Sequence, residues 1–437
     1  MTSTVEDTTA TGTSFVIEGG YPLNGTVTPA GNKNAALPII AAAVLASEPV
    51  TLHNVPDIVD VRNLLKILAG AGVRVDRLGP NSYEIHAGDD TDPTSVDADL
   101  CARIRASILI AGPMLARFGE VTIPPPGGDV IGRRRVDTHM HALEALGARI
   151  DGTRSYRFEA PRGLIGCELF LDEPSVTGTE NAISAAVLAT GKTVIENAAC
   201  EPHVQDLCHF LVSCGAKISG IGSNILHIEG VDKLGGCEYH IQPDHIEIGS
   251  FIGLAAVTGG EMVIENAPLW QMRPIRLGFE KLGVNLEFDG RDVRVPREQR
   301  LAVQDDMGSQ IAKIEDGPWP QFPADLTSIA VAVATQSSGT IMVFEKMFEN
   351  RLVFTDKLVA MGARIVLCDP HRAVISGPAR LRAQPLESPD IRAGMAMLIA
   401  ALSADGTSRI GNIRQIDRGY ERIDERLKAL GARIERV

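Results

Sequence analysis

The sequence predicts an α/β protein of two domains, each assembled from three repeated helix–strand units. Two observations carry that prediction. One motif, an amphipathic stretch closed by glycine and followed by a short alternating strand, recurs about every 70 residues. A second motif falls between its copies: a run of small and aliphatic residues, then a turn, then a strand. Six copies of the pair account for the 437 residues. A period this long is too large for a short-repeat solenoid, and two domains of three units is the simplest closed arrangement. A cleft between two such domains is the expected ligand site.

Taken in chain order, the first motif reads LLKILAGAGVRV around Gly72, ALEALGARI around Gly147 and FLVSCGAKI around Gly215. It continues as FEKLGVNLEF around Gly283, KLVAMGARIVL around Gly362 and RLKALGARIERV around Gly431. Glycine there suits the residue after a helix, where a left-handed backbone is cheap only without a Cβ. The second motif begins with AALPIIAAAVLASEPVTLHNV, ASILIAGPMLARFGEVTI and AISAAVLATGKTVIENA. Its later copies are IGLAAVTGGEMVIENA, SIAVAVATQSSGTIMVFE and GMAMLIAALSADGTSRIGNI. These runs lack a polar face, so their helices belong inside.

Composition narrows the function. Apolar residues at 44% and charged residues at 22% describe an ordinary globular chain. The net charge is −13 and aromatics are only 4%, which disfavours a nucleic-acid binder. Seven cysteines form no CxxC pair, and no Cys/His cluster has zinc spacing; they read as reduced, mostly buried thiols. The N-terminus has neither basic nor apolar signal character, and no apolar run spans a bilayer. The expectation is a cytoplasmic protein without membrane attachment, metal or cofactor.

The chemistry-bearing residues fall in loops and at helix entrances. PPPGGDVIGRRRVDTH, 124–139, joins three prolines and three glycines to Arg133, Arg134 and Arg135. Guanidinium groups bind phosphate and carboxylate as forks. Asp129 in this loop reads alternatively as a turn carboxylate. Lys33 and Asn34 precede a buried helix, where free N–H groups favour an anion. Asp325, before another buried helix, reads as an N-cap. Arg105, Arg392 and Arg418 sit near apolar helix starts, and their equivalent placement suggests one shared anionic ligand. There is no GxSxG elbow, P-loop or dinucleotide fingerprint.

The segments GNKNAALP, RIRAS, PPGGDVIGRRRVD, PSVTGTEN, FPADL, MFENR, DIRAG and IDRGYERI occur in the order found in the enolpyruvyl transferases, and over 15–437 the chain resembles that family. The resemblance implies an inside-out α/β fold, each domain made of three βαβαββ units. It implies boundaries too: 1–32 as N-terminal lead and first part of the second domain, 33–243 as the first domain with its lid 124–139, and 244–437 as the rest of the second. The implied reaction joins phosphoenolpyruvate to the 3′-hydroxyl of UDP-N-acetylglucosamine, with phosphate released, in peptidoglycan synthesis. Other readings are a uridine nucleotide or shikimate 3-phosphate as acceptor, or a non-catalytic sugar-nucleotide binder.

By the same resemblance, Lys33 and Asn34 contact phosphoenolpyruvate and substrate, and Arg134 closes the lid. Arg392 and Arg418 grip phosphate and carboxylate. Arg105 serves the substrate site, and Asp325 is the base near the sugar hydroxyl. Arg135, Val136, Asp137 and Thr138 belong to the nucleotide-binding stretch. Ser175 and Val176 lie under the diphosphate and uridine, and Met347 touches the sugar. Asp129 stands where most members carry the lid cysteine that fosfomycin alkylates. The resemblance therefore implies Asp129 as the acid and resistance to that drug. Arg135, Glu173, His203 and His245 replace the family's common Pro, Lys, Glu and Arg.

Overall fold

The computed structural model of the chain describes residues 12–128, 131–132, 135–152 and 155–437. It forms two compact units: residues 31–128 and 135–242 in the first, and residues 12–30, 131–132 and 243–437 in the second.

Each unit is built around three apolar helices. They are Lys33–Ala42, Ala111–Phe118 and Val176–Ala186 in the first. In the second they are His245–Thr258, Thr327–Ala334 and Ile391–Ser403. Thr327–Ala334 is buried at every residue, because beyond Thr327 and Ser328 it carries only small and aliphatic side chains. Glycine lets such helices approach closely. A Cβ at Gly112 would lie 2.4 Å from the Asn181 carbonyl oxygen on the neighbouring helix. Each unit has its own contiguous apolar core.

Among the described residues, three sheets accompany the helices of each unit. In each repeat a strand leaves the central helix, an outer helix follows, and a hairpin returns antiparallel to the first strand. The first repeat shows the plan: Val50–His53, helix Val59–Gly70, then Arg74–Gly79 and Ser82–His86, with Ser82–His86 in the middle of the hairpin pairing. All six motif glycines adopt positive φ, from 80° at Gly283 to 108° at Gly362. The glycine-ended outer helix read from the residues is thus observed. The return strand is additional to the helix–strand–helix–strand pattern, and it is present in the βαβαββ unit that the resemblance implies. In the sixth repeat the N-terminal strand Ser14–Glu18 takes its place, between Thr407–Gly411 and Arg433–Arg436.

A parallel edge strand from another repeat of the same unit completes five of the sheets, as Glu238–His240, which follows the third repeat, does beside Val50–His53 of the first. Asparagine secures three of these edges. Asn54, Asn197 and Asn412 each take φ near the left-handed well and donate from Nδ2 to the carbonyl just after the edge strand: Ile241, Leu171 and Ser388. Asn266 has the same backbone in the fourth repeat. The second and fifth repeats instead leave their first strands through 124–128 and through Glu345–Arg351, both candidate-site segments.

Candidate active site

In the first unit, Asn32 caps the helix that Lys33 begins, its Oδ1 accepting from Asn34 and Ala35 N–H at 2.9 and 3.2 Å. Lys33 is 7% exposed, and its Nζ pairs with Asp60 Oδ2 at 2.9 Å. The cap therefore fixes the backbone, while the outer helix Val59–Gly70 supplies the counter-charge to the buried ammonium. Asn34 is half-buried beside it.

A second cluster in this unit joins residues far apart in sequence. Arg105 opens a 3₁₀ turn and donates to the carbonyl of Arg135. Arg135 reaches Asp137 Oδ2 at 2.6 Å and Asp172 Oδ2 at 3.0 Å. Thr138, buried, donates to Asp172 Oδ1 at 2.7 Å. Val136 and Asp137 form the start of helix Asp137–Ala145. Ser175 caps the helix that Val176 begins, accepting from Gly178 N–H at 3.2 Å. Gly178 in turn packs against Thr138. Glu173 flanks the cluster, its Oε1 3.5 Å from Thr138 Oγ1. Hence Arg105, Arg135–Thr138 and Ser175–Val176 form one patch around Asp172, a residue the sequence reading did not single out.

His139 backs that patch. Burial pushes its imidazole down to about 3, with the Arg105 charge acting in the same direction. It is neutral: Asn181 Nδ2 donates to its Nδ1 at 2.7 Å, which leaves Nε2–H to donate to Thr177 Oγ1 at 3.0 Å.

In the second unit Asp325 lies between two guanidinium groups. Arg351 Nη2 donates to Oδ1 at 3.0 Å, and Arg392 donates to Oδ2 from Nε and Nη2 at 3.0 and 2.8 Å. Both arginines are almost wholly buried, whereas the Asp325 side chain is 26% exposed. Asp390 caps the helix at Arg392. Arg392 also donates to the Tyr420 hydroxyl at 3.2 Å, which contacts Ser250 Oγ at 2.9 Å. Burial opposes the Arg392 charge, but Asp325, Tyr420 and Asp244 outweigh it and raise the affinity of Arg392 for its proton.

Arg351 is the principal residue missed from the sequence, although MFENR was among the matching segments. Its Nε lies 3.6 Å from Glu345, and its guanidinium stacks 4.9 Å from the Phe348 ring centroid. Glu345 is fully buried and accepts from the N–H groups of Met347 and Phe348 at 3.1 Å. Burial pushes its carboxyl up to about 9, with Arg351 opposing. Met347 is thus placed by Glu345, and its side chain is exposed.

Three readings are corrected. Asp325 is not an N-cap: it lies within the 3₁₀ turn Ala324–Leu326, and no side chain caps the following helix. Its oxygens go instead to Arg351 and Arg392. Arg418 does not precede an apolar helix; it follows the short helix Arg414–Asp417 and donates to Gln415 Oε1 at 2.9 Å. Fewer cysteines are buried than expected: Cys101, Cys208 and Cys214, with Cys368 exposed. Asp129 and Arg134 lie outside the described residues. Among the described residues, no group of three or more His, Cys, Asp or Glu side chains is placed to hold a metal, and no helix is long and apolar enough to cross a membrane.

Comparison with known proteins bears on the family and the fold. The sequence model of the family described as EPSP synthase (3-phosphoshikimate 1-carboxyvinyltransferase) matches residues 17–427. The UDP-N-acetylglucosamine 1-carboxyvinyltransferase of Bradyrhizobium diazoefficiens is 59% identical over 423 residues, covering 97% of this chain and 98% of that protein. Its counterpart in Treponema denticola is 55% identical, covering 96% and 98%. The fold is that of the enolpyruvyl transferase NikO from Streptomyces tendae, at a TM-score of 0.85 and 22% identity, covering 97% of this chain and 99% of that one. EPSP synthase from Acinetobacter baumannii shares it at a TM-score of 0.74 and 18% identity, with the same coverage. The chain belongs to the enolpyruvyl transferase family.

Proposed function

We propose that the protein transfers the enolpyruvyl group of phosphoenolpyruvate to the 3′-hydroxyl of UDP-N-acetylglucosamine, releasing phosphate, as a cytoplasmic step of peptidoglycan synthesis. The observation that carries this reading is the Asp325 carboxylate, partly open to solvent yet fixed by Arg351 and Arg392. A carboxylate fixed by arginines and partly open to solvent can take the proton of a sugar hydroxyl. The guanidinium groups beside it suit the carboxylate and phosphate of phosphoenolpyruvate.

The steps balance without a cofactor. The methylene carbon of phosphoenolpyruvate takes a proton, and the 3′-oxygen bonds to the carbon bearing phosphate as its own proton passes to Asp325. The tetrahedral adduct then expels phosphate while its methyl group loses a proton, restoring the double bond. Lys33, Asn34, Arg105, Arg134 and Arg418 serve as anion and substrate contacts. Arg135–Thr138, Ser175, Val176 and Met347 hold the nucleotide sugar. Asp129 supplies the first proton, which requires its carboxyl to be protonated when substrate is bound. With no lid thiol to alkylate, the protein resists fosfomycin.

The test is phosphate release from phosphoenolpyruvate with UDP-N-acetylglucosamine, with the product identified by mass. Release only with uridine monophosphate or shikimate 3-phosphate would replace the acceptor, and binding without release under any acceptor would remove the catalytic reading. Asp129→Asn should abolish turnover, and Asp129→Cys should keep it and confer fosfomycin sensitivity. Near-normal turnover in Asp129→Asn would return Asp129 to a turn residue.

A further inference from the structure

Cys214 and Cys237 are placed for chemistry that the proposed reaction does not use. Cys214 ends the outer helix Pro202–Ser213 of the third repeat, and Cys237 directly precedes the edge strand Glu238–His240. Their Sγ atoms are 3.1 Å apart, although the two residues form no CxxC motif. The backbone brings them together: Gly235 N–H donates to the Cys214 carbonyl at 2.9 Å, which turns the chain back towards the helix end. Cys214 is buried and Cys237 is half-buried at the edge of the apolar core. The contact with Cys214 holds the Cys237 thiol below its ordinary value, and the same contact with burial pushes Cys214 up. Two sulfurs within van der Waals contact, one on a half-buried residue and one on a buried residue, suit a pair in which one thiol reacts with an oxidant and the other resolves it.

We propose that Cys214 and Cys237 are a modification site at which hydrogen peroxide forms a reversible disulfide. The Cys237 thiolate attacks one peroxide oxygen. An S–O bond forms, the O–O bond breaks, and the departing hydroxide is protonated to water. Cys214, losing its proton, then attacks the Cys237 sulfur; the S–S bond forms and the S–O bond breaks, releasing a second water. The two sulfurs together lose two electrons, and the peroxide gains them. A dithiol reverses the bond by exchange.

The bond would tie the third repeat to the sheet of the first, since Glu238–His240 pairs in parallel with Val50–His53. Gln242, two residues beyond that strand, accepts from Asn32 N–H at 2.8 Å, and Asn32 caps the Lys33 helix. Oxidation therefore fastens the segment on which the Lys33 helix entrance rests.

The test uses the full reduced chain with hydrogen peroxide, followed by alkylation and peptide mapping. Two of the seven thiols should disappear from the alkylated set, a single Cys214–Cys237 linked peptide should appear, and dithiothreitol should restore both. Cys214→Ser should halt the reaction at a Cys237 sulfenic acid that dimedone captures. Full alkylation of both cysteines after peroxide, oxidation of Cys237 without linkage in the unsubstituted chain, or a different pairing would each overturn the proposal. The linked-peptide readout needs no variant, so it stands even if Cys214→Ser folds poorly.

Discussion

Arg392 holds Asp325 through a single carboxylate oxygen, with Nε and Nη2 at 3.0 and 2.8 Å from Oδ2, while Oδ1 is left to Arg351. Two nitrogens of one planar group fix the direction of the carboxylate as well as its distance. A lysine carries the same charge on one nitrogen and cannot do this. Arg392→Lys should therefore keep the fold, because the charge opposite Asp325 remains, yet lower kcat by about 10-fold to 100-fold through lost alignment. Steady-state kinetics beside a circular dichroism melt checks both halves. Wild-type kcat would show that alignment of Asp325 is immaterial.

Asp325→Asn separates the proton role from the charge role. The amide fills the same space, but it offers Arg351 and Arg392 only its carbonyl oxygen and accepts no proton from a hydroxyl. If Asp325 is the base, kcat should fall about 10²-fold to 10⁴-fold, the range of a lost general base. Binding of the sugar nucleotide should change far less, as read by calorimetry. A comparable loss of binding with kcat unaltered would make Asp325 a substrate ligand instead.

The unequal legibility of fold and site has a physical origin. A glycine after a helix answers a local demand, so Gly72, Gly147, Gly215, Gly283, Gly362 and Gly431 announce six repeats from the residues alone, and each has positive φ. The asparagines of HNV, ENA and GNI are as local in backbone, but their bonds to Ile241, Leu171 and Ser388 depend on strands from another repeat. Site residues depend on folding still more. Asp60, Asp172 and Arg351 look like ordinary surface charges until helix Val59–Gly70, the turn before Ser175 and the loop after Glu345 bring them to Lys33, Arg135 and Asp325. Asp325 misled for the converse reason. Its position before an apolar helix is that of a cap, and only the intervening 3₁₀ turn reveals otherwise.

His139 predicts an acid limb of stability. Burial lowers its folded value to about 3, while an unfolded histidine titrates near 6.5. Between those values the unfolded chain holds a proton that the folded chain lacks. The neutral imidazole's contribution is thus complete above pH 6.5 and is lost progressively as pH falls towards 3. One such group steepens the slope of unfolding free energy by about 1.4 kcal/mol per pH unit. His139→Gln, whatever its constant offset, should be shallower than wild type by about that amount between pH 4.5 and 6. Denaturant titrations at several pH values give the slopes, and parallel slopes would contradict a neutral buried His139.

The Lys33–Asp60 pair allows stability and activity to be pulled apart. Both side chains are under 10% exposed and 2.9 Å apart, so each charge has left water for the other. Asp60→Asn removes one charge and leaves a buried ammonium, at a cost on the order of 3–5 kcal/mol. Lys33→Met with Asp60→Leu removes both, replacing them with apolar groups of similar size, and should recover most of that loss. If Lys33 is also the contact to phosphoenolpyruvate, the double variant should be stable and inactive, with its affinity for phosphoenolpyruvate reduced. Thermal melts and phosphate release measured on the same preparations decide the matter. A double variant that is both stable and active would assign Lys33 to structure alone, and one as unstable as Asp60→Asn would show that the pair was not the source of the loss.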